Sequence, residues 1–404
     1  MALLDVAQAQ QRIAELAPRL DRERVHLRSA AGRVLADDVT ASRSLPGFDN
    51  SAMDGYAVRT TDAPAKLPVT GVIAAGAAVH ELAPLQPGTA VQIFTGAPMP
   101  PGADAIVIVE DAIRDGDSVT LPAAVRGEHI RRTGEDIAVG DIAVTAGLRV
   151  RPGAIAMLAA QGCSHVIVHC RPRVAIIATG DELVDVDSVL QPGQVVDSSA
   201  HMLAAQIFEA GGEPHYLGVV ADEPNVVLEA LQRALQYDVV LTTGGVSAGE
   251  RDYVRPALAA AGIELEFWKV AMKPGKPFAF GRRVAAPPTV PRATMVFALP
   301  GNPVSSFVAF ELFVRPALLA MQGARIVHRT RVPVVLDDGY RKPTGRAHYV
   351  RATLARHGAA LHAVLHAKQG SAMLSSIVEC DALVEIPADA DVLAPGCIVQ
   401  ALLI

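Results

Sequence analysis

The sequence has few aromatic residues and no excess of basic ones. Phe, Trp and Tyr make up 4% of the chain, and 36 Lys and Arg stand against 42 Asp and Glu, which gives a net charge of −6. Nucleic-acid-binding proteins usually carry a basic surface and often aromatic platforms on which bases stack. The composition therefore argues against a nucleic-acid partner, and any anionic ligand must be held by local groups.

Long apolar runs and cysteine motifs are also missing. No stretch approaches the roughly 18 uncharged apolar residues that a membrane span needs, and the first turns carry acids where a signal peptide has basic and apolar regions. The four cysteines show no C-x-x-C spacing, and H-E-x-x-H does not occur. We expect a cytoplasmic protein with reduced thiols, no membrane contact and no structural zinc site.

What the sequence does have is apolar residues in regular patterns. Half of the 404 residues are hydrophobic, and a chain of this length is expected to form roughly two to four domains. Between residues 173 and 322 predicted strands alternate with predicted helices, which indicates a doubly wound, mostly parallel α/β domain. The predicted strands are 173–178, 215–220, 238–242, 264–270, 277–281 and 294–299, and the helices are 199–210, 224–236, 253–261 and 304–319.

The regions on both sides of this domain are richer in strands. Residues 67 to 146 consist of short Val, Ile and Thr runs separated by Pro and Gly, and about five strands follow residue 325. Helices are predicted over 5–16 and 152–161. The expected domains are a linker domain of residues 1–45 and 141–171, a distal β domain of 46–140, the α/β domain of 172–324 and a C-terminal β barrel of 325–404.

Three predicted strands of the α/β domain end in glycine turns. Gly180 follows the first, Gly244 and Gly245 follow another, and Pro300-Gly301-Asn302-Pro303 follows the third. Ligands bind outside the carboxyl ends of parallel strands, and glycine lets the backbone approach them closely. In the third turn Asn302 stands as a helix N-cap, with Pro303 at the first helical position. A single Gly-Gly pair could merely end a strand, but three such turns favour a shared crevice.

Two lysines and several carboxylates accompany these turns. In Lys273-Pro274-Gly275-Lys276-Pro277, the prolines and the glycine force a turn that can aim both ammonium groups the same way, at a phosphate or another compact oxyanion. Glu182 and Asp252 lie just beyond predicted strand ends, and Asp222 follows the strand 215–220. Taken singly, each acid could be only a helix cap or a surface charge.

Seven sequence strings together point to a family. They are FDNSAMDGYAV (48–58), FTGAPMP (94–100), IRRTGEDI (130–137), TGDEL (179–183), TTGGVSAGERDY (242–253), KPGKPFAFG (273–281) and LPGNPVSS (299–306). In this order and spacing they resemble the MoeA-type molybdopterin molybdenumtransferases, a family that includes the C-terminal module of gephyrin. The resemblance covers essentially the whole chain.

The resemblance implies an activity and an assembly. Enzymes of this family convert adenylylated molybdopterin and molybdate to molybdenum cofactor and AMP, with Mg²⁺ or another divalent cation. The implied protein is a homodimer whose cleft joins the α/β and C-terminal domains of one subunit to the distal arm of the other. A transient contact with molybdopterin adenylyltransferase, which supplies the substrate, also follows. Carboxylates beside two anionic substrates would repel them unless a cation offsets the charge.

The resemblance also assigns residues. The acidic catalytic set is Asp54, Asp136, Glu182, Asp222 and Asp252, of which Glu182 and Asp252 are the expected metal ligands. The expected substrate-binding residues are Thr95, Gly180, Gly244, Gly245, Ser247, Lys273, Lys276, Pro300, Gly301, Asn302, Pro303, Arg351 and Ser371. Asp54 and Asp136 come from outside the α/β domain, so domain packing or the second subunit must deliver them. The chain departs from relatives at Ser198-Ser199, where Thr-Asn is usual, and at Thr243, where Ser is common.

Two other functions stay open at this point. Residues 172–322 also resemble the single-domain molybdopterin adenylyltransferases, which lack the distal and C-terminal domains. A scaffold that binds peptides, as the gephyrin module does, is the alternative from another class. Formation of the adenylylated pterin from molybdopterin and ATP would identify the first alternative, and peptide binding without activity would identify the second.

Overall fold

The computed structural model describes residues 3–245, 253–285 and 292–404. The chain forms two compact units. The first contains Met1–Ala36, Gly147–Arg151 and Val166–Ile404, and the second contains Asp37–Ala146 and Pro152–His165. Each unit has hydrophobic clusters of its own.

A six-stranded sheet, counted over the described residues, forms the centre of the first unit. Its strands lie in the order Glu213–Val220, Arg173–Thr179, Val239–Thr243, Thr294–Leu299, Ala279–Arg283 and Glu264–Trp268. The first four are parallel to one another. Ala279–Arg283 pairs antiparallel with Thr294–Leu299, and Glu264–Trp268 pairs antiparallel with Ala279–Arg283. The central strands are buried on both faces, as continuous apolar runs require. The predicted doubly wound, mostly parallel domain is confirmed.

Helices cover both faces of this sheet because successive strand residues point to opposite sides. Val174 and Ile176 pack into one hydrophobic cluster, and Ala175 and Ile177 pack into the other. The first cluster includes residues of the helices Val6–Leu16, Ser198–Glu209 and the one that begins at Pro303, and the second includes residues of Pro224–Ala234 and Val254–Ala260. Asp5 caps the first helix of the chain, accepting a hydrogen bond from Gln8 N at 2.7 Å.

The helix predicted over 304–319 is interrupted, which corrects the expectation of an unbroken α-helix. It consists of Pro303–Ala309, a π-helical turn at Phe310–Val314, and Arg315–Met321. The reason is Pro316, which has no N–H to donate to the carbonyl of Leu312 and would clash with it in an α-helix. The side-chain amide of Gln10 donates to that carbonyl instead, at 2.8 Å.

The same helix is long and apolar enough to cross a membrane by length and composition alone. However, 94% of its most apolar window is buried inside the protein. Its side chains pack against the central sheet, with Phe310, Phe313 and Leu318 in the main cluster. It is therefore explained as a core helix.

A closed barrel follows in the first unit. The strands Arg331–Leu336, Ala347–His357, Ala360–Leu365, Ala382–Ile386 and Ile398–Leu403 pair in a ring. Closure leaves these five strands without free edges between them, and Val334, Val350 and Val384 fill the interior. The expected C-terminal barrel is confirmed. Shorter elements of the first unit are Arg22–His26, Leu27–Ser29, His165–His169, Leu183–Val184, Val195–Val196, Met272–Lys273, Tyr340–Arg341, Leu374–Ile377 and Val392–Leu393.

The second unit is built mainly of strands, as the sequence predicts. Its main sheet, taken over the described residues, has the order Ala105–Ile108, Gly55–Val58, Ala90–Ile93, Ala65–Ile73, Ser118–Leu121 and Ile113–Asp115. Tyr56, Val58 and Val119 lie in the cluster on one side, and Ile93 and Ile106 lie in the cluster on the other. Its other elements are Val39–Thr40, Asn50–Ser51, Thr60–Asp62, Val79–Glu81, Val109–Asp111, Ile130–Arg131, Ile142–Val144 and the helix Pro152–Ala160.

Candidate active site

The three glycine turns begin side by side at one edge of the central sheet. Ala178 pairs with Thr243, and Thr243 pairs with Leu299, so the three parallel strands end in register. Two further bonds join the turns: the Thr179 hydroxyl donates to the Thr243 carbonyl at 3.3 Å, and Gly244 N donates to the Leu299 carbonyl at 3.2 Å. The strand ends therefore hold the turns against one another.

Glycine is required at the middle turn for two reasons. Gly244 has φ of +89°, which L-residues rarely adopt, and a Cβ atom there would lie 2.3 Å from the Thr179 carbonyl oxygen. Gly301 has an ordinary φ, but a Cβ on it would lie 3.4 Å from Cα of Gly244. The Thr179 backbone therefore excludes a larger residue at Gly244, and Gly301 lies against Gly244 at a distance that still admits a methyl group.

These turns line a cavity of about 620 Å³, within the range of roughly 300 to 1,000 Å³ that is typical of small-molecule sites. All its lining residues belong to the first unit. Of the residues expected at the site, those that line the cavity are Gly180, Glu182, Asp222, Gly244, Gly245, Pro300, Gly301, Asn302 and Pro303. Ser198, Ser199 and Thr243, the positions at which the chain departs from relatives, line it too.

Glu182 and Asp222, two of the expected acidic residues, line this cavity. The side chain of Glu182 folds back over the first turn, so that a Cβ on Gly180 would lie 2.8 Å from Glu182 Oε2. Asp222 N donates to Asp181 Oδ1 at 3.0 Å, which holds the end of the strand Glu213–Val220 beside that turn. Carboxylate oxygens are the donors that Mg²⁺ prefers, so Glu182 and Asp222 have the chemistry of a divalent-cation site.

Asp197 also lines the cavity, and it was missed as a site residue. It caps the helix Ser198–Glu209, accepting from Ala200 N at 3.1 Å, and its other oxygen accepts from the Tyr216 hydroxyl at 3.1 Å. Burial and the nearby Asp197 charge raise the pKa of Tyr216, which therefore stays a hydrogen-bond donor. An acid directly before Ser-Ser at a predicted helix start was the available sequence signal, and it indicates only a cap.

Asn302 stands at the N-cap position as predicted, but its side chain does not cap the helix. Instead Asn302 Nδ2 donates to Ser371 Oγ at 3.1 Å, and Val304 N donates to the Ser371 carbonyl at 3.1 Å. These bonds fix the segment after Ser371, so that Ala372 and Leu374 line the cavity. Ser371 itself is a support of the cavity wall.

Arg351 does not line the cavity. It is only 1% exposed, and it donates to Ser376 Oγ at 3.1 Å and to the carbonyls of Gly370 at 3.1 Å and Lys368 at 3.3 Å. Its guanidinium therefore lies beneath the segment 368–376 and holds it in place. These bonds position the cavity wall that Ala372 and Leu374 form, and the substrate contact of Arg351 stays a prediction.

The two expected lysines do not line the cavity. Lys273 and Lys276 are both exposed, and the next residue along, Pro277, is the one that lines the cavity. Lys273 belongs to a short strand that pairs with Ala347–His357. Its ammonium also affects His348, whose pKa is lowered to about 4, first by burial and then by Lys273.

The expected site residues of the second unit form a separate set of contacts. Asp54 Oδ1 accepts two hydrogen bonds from Thr95, from the backbone N at 2.7 Å and from the hydroxyl at 2.8 Å. These bonds lower the pKa of Asp54, with the backbone bond as the larger cause. Asp49 accepts from Arg132 Nη1 at 2.7 Å and from Thr133 N at 2.8 Å, which joins two of the seven strings.

Three expected site residues remain, namely Asp136, Ser247 and Asp252. Asp136 is exposed in the second unit, and its backbone N donates to the Leu45 carbonyl at 3.0 Å. Ser247 and Asp252 lie outside the described residues. Asp252 therefore stays an expectation as a metal ligand.

Family models match the chain along most of its length. The MoeA N-terminal region (domain I and II) matches residues 4–162, a probable molybdopterin binding domain matches 175–320, and the MoeA C-terminal region (domain IV) matches 333–404. Similar proteins include molybdopterin molybdenumtransferase 2 of Mycobacterium tuberculosis, with 39% identity over 92% of both chains. Molybdopterin molybdenumtransferase of Bacillus subtilis shares 35% identity over 99% of this chain and 94% of its own.

A solved structure agrees with these matches. The molybdopterin biosynthesis moeA protein of Pyrococcus horikoshii superposes with a TM-score of 0.85 at 31% identity, covering 100% of both chains. The likeness therefore extends over both units and includes each of the three glycine turns. The chain belongs to the MoeA family.

Proposed function

We propose that the protein is a molybdopterin molybdenumtransferase that converts adenylylated molybdopterin and molybdate to molybdenum cofactor and AMP. Membership of the MoeA family makes it a transferase of molybdenum cofactor biosynthesis. The observation that carries the proposal is the cavity of about 620 Å³ at the glycine turns, where backbone and carboxylates meet.

The cavity suits a pterin that carries a phosphoanhydride. Backbone N–H groups at glycine turns and at the start of the helix after Asn302 favour phosphate oxygens. Asn302 and Ser371 hold the neighbouring wall, and Asp197 is fixed by Tyr216. Lys273 and Lys276 lie close enough in sequence to Pro277 to approach the phosphates from the rim, where they stabilise charge on the departing AMP.

Mg²⁺ or another divalent cation fits the acidic side of this cavity. Glu182 and Asp252 are the proposed ligands, and Asp222 lines the same cavity as Glu182. When bound, the cation would offset the negative charge of the anhydride and polarise its phosphorus. Glu182 would hold the cation. Water attack on phosphorus breaks the anhydride P–O bond and releases AMP, and molybdate then binds the two dithiolene sulfurs as an oxo oxygen leaves as water with the two thiol protons.

The family resemblance supports three further parts of the proposal. Asp54, oriented by Thr95, and Asp136 supply further acidic groups to catalysis. The protein acts as a homodimer, and it receives its substrate in a transient contact with molybdopterin adenylyltransferase. A mass measurement of the protein in solution tests the homodimer, because a monomer at the concentration of the activity assay would contradict it.

The test is a reaction with defined substrates. Purified protein is incubated with adenylylated molybdopterin, molybdate and Mg²⁺, AMP is measured by chromatography, and cofactor is measured by activation of a molybdenum-free apoenzyme. We expect molybdate-dependent AMP release. Glu182→Gln should lower its rate by about 100-fold or more, because a charged group at the reacting anhydride is lost. Glu229→Gln, an exposed acid of the helix Pro224–Ala234, is the matched control and should leave the rate unchanged.

Lys276→Ala should instead weaken substrate binding and leave the rate at saturation nearly intact. Wild-type protein that releases no AMP but binds a peptide would favour a scaffold. Formation of adenylylated molybdopterin from molybdopterin and ATP would favour an adenylyltransferase. Either result, or full activity of Glu182→Gln, would contradict the proposed mechanism.

A further inference from the structure

The first unit contains a second cavity, of about 560 Å³, that shares no lining residue with the first. Among the residues that the structure describes, its lining contains no Asp or Glu. Five arginines line it: Arg149, Arg151, Arg315, Arg325 and Arg329. We refer to it as the arginine cavity. Its volume lies within the range of small-molecule sites.

Arg315 is the most unusual member of this set. It is 9% exposed, and its Nε and Nη1 have no hydrogen-bond partner within the described part of the chain. The nearest carboxylate, Glu311, lies 3.8 Å from Arg315 Nε. The two Glu311 oxygens already accept from Gln206 Nε2 and from Arg329 Nε, both at 2.8 Å. Arg315 is therefore a buried guanidinium with donors left over, which is costly unless a ligand uses them.

The charges around Arg315 are also unbalanced. Arg329 Nη2 contacts Glu209 Oε1 at 2.9 Å, and Arg149 donates only to carbonyl oxygens in its described contacts, those of Glu209 and Gly32. Arg315, Arg149 and Arg329 thus share two nearby carboxylates, those of Glu209 and Glu311, and neither of these lines the cavity. Burial, and after it the neighbouring Arg329, lower the pKa of Arg315. An arginine nevertheless stays protonated, so the cavity keeps its positive charge.

An apolar surface adjoins the arginines. Leu148, Leu319 and Ile326 line the same cavity, and Ile326 is 81% exposed. A ligand that carries both an anion and an apolar or planar part would cover this surface. Arginine forks match phosphate oxygens two at a time, and a guanidinium plane also stacks on rings.

We propose that the arginine cavity binds a small organic phosphate, with the phosphate on Arg315 and Arg149 and the organic part on Leu148 and Ile326. The phosphate would accept hydrogen bonds from the Arg315 donors that no side chain of the described residues uses. The proposal is independent of the molybdenumtransferase activity, because the lining residues of the two cavities do not overlap.

The experiment is isothermal titration of the full-length protein with phenyl phosphate, inorganic phosphate and phenol. We expect phenyl phosphate to bind one site more tightly than inorganic phosphate, and phenol not to bind. Arg315→Met keeps the length of the side chain and removes its donors, so it should weaken phenyl phosphate binding by at least about tenfold. Arg149→Gln should also weaken phenyl phosphate binding. Arg149 is less buried than Arg315, so this variant tests the site even if Arg315→Met does not fold.

Two controls make the outcome specific. Arg114→Gln removes an exposed arginine that, like Arg149, donates to a carbonyl, here that of Gly116, and it should bind phenyl phosphate as the wild type does. Lys276→Ala, beside the first cavity, should also leave this binding unchanged. Circular dichroism establishes that each variant is folded. Absence of binding to the wild type, equal binding by folded Arg315→Met and Arg149→Gln, or loss of binding in Lys276→Ala would overturn the proposal.

Discussion

Gly301 packs against Gly244, so that a Cβ atom on Gly301 would lie 3.4 Å from Gly244 Cα. The two residues follow adjacent parallel strands, and their contact makes one continuous backbone surface at the end of the sheet. A side chain at Gly244 is excluded on steric grounds, whereas Gly301 leaves room for a methyl group. A ligand at this position would contact backbone groups rather than side chains.

Alanine at these two positions should therefore have different effects. Gly244→Ala places a Cβ 2.3 Å from the Thr179 carbonyl at φ of +89°, and we expect it to lower the free energy of unfolding by roughly 2 to 4 kcal/mol. Gly301→Ala meets only a 3.4 Å contact at an ordinary φ, so the loss should stay below about 1 kcal/mol. Urea unfolding measures both changes.

The second measurement on the same pair is ligand binding. Gly301→Ala should fold nearly as the wild type does and still bind adenylylated molybdopterin more weakly, because its methyl group would lie against Gly244, which lines the same cavity. Unchanged affinity in this variant would show that the ligand does not rest on the glycine surface.

Removal of the Arg351 guanidinium should loosen the wall of the cavity. Arg351→Met leaves Ser376 Oγ and the carbonyls of Gly370 and Lys368 without their donor, and we expect a loss of roughly 2 to 4 kcal/mol in the free energy of unfolding. Amide hydrogen exchange of residues 368–376 should accelerate. Ser376→Ala removes one of the three acceptors and is the milder control. Unaltered exchange in Arg351→Met would contradict the positioning role.

Thr95 should control the acidity of Asp54 only in part. Thr95→Val removes the hydroxyl bond of 2.8 Å but keeps the backbone bond of 2.7 Å, which is the larger cause of the lowered pKa. We expect the Asp54 pKa to rise toward its ordinary value without reaching it, as followed by NMR titration of the carboxyl carbon. Asp49, whose pKa is lowered chiefly by the bond from Thr133 N, is an internal control that should not change.

His348 should make stability depend on pH. It is 3% exposed, its Nδ1 lies 3.0 Å from the Tyr340 hydroxyl, and its pKa falls from the ordinary 6.5 to about 4, chiefly because burial disfavours the cation. The unfolded chain binds a proton near pH 6.5 and the folded chain only near pH 4. His348 therefore contributes its full stabilisation above pH 6.5. This contribution declines as the pH falls from 6.5 to 4 and is lost below pH 4.

The measurement is urea unfolding across this pH range for wild type and His348→Gln. Between pH 7 and pH 4, the free energy of unfolding of the wild type should fall by up to about 3 kcal/mol more than that of the variant. The reason is that one pKa unit corresponds to about 1.4 kcal/mol. The difference between the two proteins removes the contribution of carboxylates that titrate in the same range. Parallel curves for the two proteins would mean that His348 titrates normally.

The sequence predicted the strands and turns of the α/β domain closely because their signals are local. The strand Thr294–Leu299 was predicted to the residue, since an apolar run ends at Pro-Gly. The three glycine turns share one cavity, as parallel strands with a common end require. The C-terminal barrel was likewise visible as spaced apolar runs.

Features that depend on distant partners could not be predicted from the sequence. The π-helical turn before Pro316 relies on Gln10, which is 302 residues away from Leu312 in the chain. Asp197 at the cavity depends on Tyr216 from a neighbouring strand, and Arg351 in a strand gives no sign that it is buried. The arginine cavity joins three stretches, 147–151, 315–330 and 403–404, that nothing in the sequence connects.

The most direct test of the central claim is a crystal structure of the protein with bound adenylylated molybdopterin. The account predicts the phosphoanhydride at the backbone of Gly180, Gly244 and Gly301, with the Glu182 carboxylate beside it. A pterin nucleotide bound elsewhere, with this cavity left to solvent, would contradict it.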